Sequence, residues 1–146
     1  MERATIRDIS KYDGQEVEIR GWVYNKRSSG KIHFLMIRDG TGIIQGVAGK
    51  NDVSPEVFES FNPLTQESSV IVTGKVRADK RAPGGYELTL TGLKTIQIVK
   101  DYPISPKEHG VEFLMAHRHL WLRSKKQHAV MLIRHEIIRS IRNFLD

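Results

Sequence analysis

Between Glu16 and Val99 apolar and polar residues run in short stretches suited to strands, divided by Gly, Pro, Asn and Asp, and a single helical segment interrupts them. That pattern confines this region to a mainly β fold with one short helix. Val17 and Ile19 alternate with Glu16, Glu18 and Arg20 in a first strand, and Gly21 offers a bulge before Trp22, Val23 and Tyr24. Lys31 to Arg38 is apolar at nearly every position, so both faces of this second strand meet something. Asp39 to Gly42, DGTG, is a turn, and Ile43 to Ala48 returns from it. If that loop closes a simple hairpin, Arg38 pairs with Ile43, Met36 with Gln45, and Phe34 with Val47. Phe34, Met36, Gln45 and Val47 then share one face.

Ser54 is placed to cap a helix whose first turn holds Pro55, and Asn62 with Pro63 ends it. Val70, Val72, Val76 and Ala78 alternate with Ile71, Thr73, Lys75 and Arg77 in a fourth strand. Tyr86 to Val99 supplies a fifth, with a bulge expected at Gly92. Three strands, a helix and two strands match the five-stranded OB-fold barrel, which binds oligonucleotides on strands 2 and 3 and on the loops after strands 1 and 4. Strand count alone also admits an SH3-like barrel or an incomplete sandwich. Residues 1–100 are thus read as the barrel, 101–123 as a hinge, its Asp101 to Val111 stretch carrying Pro103, Pro106 and Gly110, and 124–146 as a helix. On that helix Val130, Ile133, Ile137, Ile141 and Phe144 form one stripe, with Arg134, Arg139, Arg142 and Asn143 off it. No stop signal follows, so the stripe is expected to meet a partner chain or a continuation of the protein.

Charge points to the class of partner. The net charge is +6, from 23 Lys and Arg against 17 Asp and Glu, and a polyanion suits it. Both loops that an OB-fold turns toward nucleic acid, Asn25 to Lys31 (NKRSSGK) and Asp79 to Gly85 (DKRAPGG), combine Lys and Arg with glycine. Their cations suit phosphates, and glycine permits close approach of the backbone. Phe34 on the inferred outer face can stack on an unpaired base, although a barrel core would also use such an aromatic. Gln45 beside it carries a donor and an acceptor with which to read a base edge, or is simply a solvated strand position. The absence of cysteine excludes disulfides and thiolate metal sites and fits a reducing cytoplasm. The histidines lack HExxH or cysteine companions, so no metal site is expected. Neither GxGxxG nor a P-loop occurs, no triad can be recognised, and no apolar stretch approaches a membrane span.

Three segments, GWVYNKRSSGKIHFLMIRDGTGIIQGV, YPISPKEHG and HRHLWLRSKKQHAVMLIRHEIIRSIRNFL, closely resemble the N-terminal part of asparaginyl-tRNA synthetases. Aspartyl relatives usually carry something like RYLDLR where this chain has HRHLWLRS, which also weighs against an enzyme that charges aspartate. The resemblance implies an OB-fold anticodon-binding domain, a hinge, and the start of a class II catalytic domain whose first motif helix forms a homodimer interface. By resemblance Phe34 stacks on the anticodon, Gln45 reads its central uridine, Arg27 is a basic anticodon contact, and Glu87 matches an acidic residue associated with the first anticodon base. Lys26, Lys80 and Arg81 are phosphate-contact candidates by charge and position. The implied partner is tRNA with a GUU anticodon, and the implied activity is ATP- and magnesium-dependent asparagine–tRNA ligation. The second and third class II motifs are absent, so these residues are expected to bind RNA without a cofactor and to catalyse nothing. A free-standing OB-fold RNA-binding protein that dimerises through its C-terminal helix is the alternative of another class.

Overall fold

The computed structural model describes residues 2–146, which cluster into two units, one ending at Tyr102 and the other spanning Pro103–Asp146. In the first unit β1 (Glu2–Arg3), β2 (Glu16–Ser28), β3 (Ile32–Arg38), β4 (Ile43–Gly49), β5 (Ser69–Ala78) and β6 (Tyr86–Gln97) form one sheet in the order β1-β2-β3-β4-β6-β5. β5 pairs back onto β2, which closes the five long strands into an OB-fold barrel and leaves β1 as a short parallel addition. Closure removes the unpaired sheet edges among the long strands.

Alternation decides which side chains fill the barrel. Ile19 on β2, Leu35 and Ile37 on β3, Ile44 on β4, Val72 on β5 and Leu88 and Leu90 on β6 are almost completely buried. α1 (Pro55–Ser60), capped by the Ser54 hydroxyl accepting from the Val57 N–H at 3.3 Å, closes one end with Phe58 and the following Phe61 and Leu64. A 3-10 turn at Ile6–Tyr12, which carries no periodicity long enough to read in the sequence, adds Ile6 and Ile9 to the core. The Asp39 carboxylate holds it in place by accepting from the Ile6 N–H at 2.9 Å.

The hairpin register agrees with the sequence reading: Phe34 pairs with Val47, Met36 with Gln45 and Arg38 with Ile43. The bulge expected at Gly21 is instead at Tyr24, where pairing steps from Val23–Ile37 to Asn25–Met36. Gly21 keeps regular pairing with Val70 and is required for a different reason, since an added Cβ would collide with the Arg38 carbonyl where β2 passes from β5 to β3. The bulge near Gly92 is present, with Thr73 opposite Gly92 and Gly74 opposite Leu90. β2 also runs on to Ser28, so Asn25, Lys26 and Arg27 are strand residues and not loop residues.

His33 packs on the inner side of β3 at 4.2 Å from the Phe58 ring and 5.3 Å from the Phe61 ring, and its Nε2 has no hydrogen-bond partner. Burial holds its pKa below the usual 6.5, and the Lys26 charge adds to the effect while Glu59 opposes it. A depressed folded-state pKa means that the unfolded chain binds the proton more readily, so stability falls as pH drops through 6.5 and below. His33→Phe is expected to flatten that part of the curve of melting temperature against pH, and an unchanged slope would remove His33 as its source.

In the second unit α2 (Val111–Ala116) and α3 (Arg118–Trp121) occupy the 111–123 part of the segment read as hinge, while residues 103–110 form neither helix nor strand. Two short helices of six and four residues are below the length at which helical periodicity stands out in the sequence. α4 (Lys125–Leu145) begins at Ser124, whose hydroxyl accepts from the Gln127 N–H at 3.4 Å. Its stripe residues Val130, Ile133, Ile137, Ile141 and Phe144 are all exposed. No helix among the described residues is long and apolar enough to cross a membrane.

Candidate nucleic-acid interface

Strand alternation that buries His33, Leu35 and Ile37 turns Ile32, Phe34, Met36 and Arg38 to the outer face of β3. Phe34 is therefore not a core aromatic. It is half-buried, directly opposite Arg27 on β2, and the Arg27 guanidinium lies over its ring at 4.4 Å from the centroid. Arg27 covers one face of the ring, so a base stacking on that face would displace the guanidinium.

One step along the strands, a second line crosses the barrel in register: Asn25, Met36, Gln45, Glu87 and Arg77. The Gln45 side-chain Nε2 donates to Glu87 Oε2 at 3.3 Å, and Arg77 Nη2 donates to Glu87 Oε1. Glu87 is only 4% exposed even though it faces outward, because its neighbours on the sheet cover it. Sequence reasoning placed Gln45 and Glu87 among the site residues and overlooked Arg77. Its place on the outward phase of the fourth strand was visible, but the parallel pairing of β4 with β6 that brings the three together was not.

The phosphate-contact candidates have different surroundings. Lys26 pairs with inward-facing Leu35 of β3, and its ammonium donates to the carbonyls of Phe61 at 3.2 Å and Asn62 at 2.6 Å. Burial pushes its pKa down. Lys26 ties β2 to the end of α1, a role that separates it from Phe34. Arg81 donates from Nε and Nη2 to the two oxygens of Asp79, at 3.2 and 3.0 Å. Those bonds, with the Arg81 backbone N–H also donating, hold the Asp79 carboxyl down at about 2. A phosphate at Arg81 would compete with Asp79, whereas Lys80 between them is exposed.

A closed barrel that carries an aromatic ring, a side-chain amide and cations along its outer face has the features with which OB-folds hold single-stranded nucleic acid. The sequence pattern of the OB-fold nucleic acid binding domain matches residues 17–96, and the chain belongs to that family. It is 59% identical to an asparagine–tRNA ligase of Koribacter versatilis, over 98% of this chain and 33% of that protein. Against the asparagine–tRNA ligase of Symbiobacterium thermophilum it is 56% identical, over 100% of this chain and 33% of that protein. The crystal structure of asparaginyl-tRNA synthetase from Pyrococcus horikoshii superposes with a TM-score of 0.89 at 42% identity, covering 99% of this chain and 35% of that one. The chain thus spans about a third of the length of these relatives and corresponds to their N-terminal part.

Proposed function

We propose that this chain is the anticodon-reading part of an asparagine–tRNA ligase. The observation that carries the reading is the placement of Phe34 and Gln45 on one outer face of the barrel, two residues apart along the ladder, in a chain so similar to such ligases. Phe34 stacks on the anticodon regardless of base, Gln45 reads the central uridine of GUU, Glu87 and Arg27 border them, and Lys80 contacts a phosphate. Asparagine transfer, with ATP and magnesium, belongs to the whole ligase. This chain's own part in that reaction is to bind the RNA. The exposed stripe on α4 serves the homodimer of that ligase, which works in the cytoplasm.

Gln45→Ala tests the reading. A good bidentate contact discriminates against a wrong base by about 1–3 kcal/mol, so the variant is expected to lose about fivefold or more in preference for GUU over loops with a changed central base. Equal losses of affinity for matched and mismatched stem-loops would argue against base reading by this residue.

A further inference from the structure

Gln45 can choose between bases only if its amide is held one way round. An amide places one acceptor beside one donor, and a half-turn about its last bond exchanges them. Uridine offers a donor at N3 beside carbonyl acceptors, whereas cytidine offers an acceptor at N3 beside the donor amino group at N4. A freely turning amide makes two hydrogen bonds with either pyrimidine. It distinguishes them only when the atom that meets N3 is fixed.

In this barrel the half-turn is opposed from behind. Gln45 Nε2 donates to one oxygen of Glu87 at 3.3 Å, and the other oxygen of Glu87 accepts from Arg77. A carboxylate paired with a guanidinium has acceptors only, so turning the Gln45 oxygen toward it would set lone pairs against lone pairs. The second N–H and the oxygen of Gln45 are thereby left for a ligand in one fixed order. Glu87 is buried to 4% exposure, so its charge depends on the partner it has there. Arg77 supplies that partner from the end of the same register line, with its own side chain 61% exposed.

We propose that Arg77, acting through Glu87, is the positioning residue that makes Gln45 select uridine over cytidine at the central anticodon position. The proposal rests on the anticodon reading above and adds what sets its specificity. Without the guanidinium, Glu87 swings toward solvent or another cation, Gln45 turns freely, and both pyrimidines are accepted. Arg77 is therefore a determinant of specificity more than of affinity.

The test titrates GUU and GCU anticodon stem-loops into the full chain in its wild-type, Arg77→Met and Arg77→Lys forms. The wild type is expected to prefer GUU by about fivefold or more. In Arg77→Met the two loops should bind within about twofold of each other, because a free amide pairs with either edge, and Arg77→Lys should keep most of the preference. A wild-type preference that survives in Arg77→Met overturns the proposal. Equal binding of both loops by the wild type overturns the anticodon reading itself. A second readout needs no RNA: in the free wild-type chain, one Gln45 side-chain amide proton should exchange with water more slowly than the other, and Arg77→Met should abolish the difference. Equal exchange in the wild type, or a difference that persists in the variant, also overturns the proposal.

Discussion

Phe34→Ala is expected to weaken binding of a GUU anticodon stem-loop by about five- to 150-fold, the ~1–3 kcal/mol of one base–aromatic stack. The loss should be the same whether the central base is matched or changed, since stacking is indifferent to base identity. Stability should change little. Phe34 lies on the outer face of β3, its phase opposite to that of buried Leu35 and Ile37, so truncation opens no cavity in the barrel. What the free protein loses is the contact with the Arg27 guanidinium, worth about 0.5–1 kcal/mol at an exposed site. Binding titrations paired with thermal melts separate these effects. A fall in stability of the size of a core truncation, about 2–5 kcal/mol, would return Phe34 to the core.

The largest effect on stability is expected at the other end of the same strand. Arg38 Nη2 donates to Glu67 Oε2 at 2.7 Å, and the two side chains are only 13% and 3% exposed. Glu67 has little freedom to escape. Its backbone is held at a φ of 66°, with its N–H donating to the Val23 carbonyl at 2.7 Å. Arg38→Met removes this guanidinium from beside a buried carboxylate, at an expected cost of about 3–5 kcal/mol in urea unfolding. Combining Arg38→Met with Glu67→Gln should recover part of that loss, because the second change removes the buried charge. A single-variant cost below about 1 kcal/mol would class the pair with exposed ion pairs.

The hairpin that carries Phe34 and Gln45 was legible because a period of two and a four-residue turn leave little choice of register. The Asp39 side chain explains why the turn forms there: it accepts from the N–H groups of Thr41 and Gly42, at 2.7 and 2.9 Å, and so fixes the loop locally. Features that depend on distant partners were less accessible. The bulge at Tyr24 follows from β2 having to serve both β5 and β3, and nothing in the GWVYN segment distinguishes Tyr24 from Gly21 as its place. Lys26 looks like a loop cation until β2 is seen to continue through it and carry its ammonium to the carbonyls ending α1. The contact between Gln45 and Glu87 crosses 42 positions through a parallel pairing that no turn specifies. In each case the residue type suited several roles, and the tertiary partner selected one.

Binding of the full chain to a GUU anticodon stem-loop, and to the same loop with its central U changed, at two salt concentrations, tests the central claim most directly. Anticodon reading by Phe34 and Gln45 with phosphate contacts predicts that affinity falls for both loops as salt rises while the preference for central U persists. Affinities that fall together with no preference at either salt concentration would contradict base reading and leave an outer barrel face that binds RNA by charge and stacking alone.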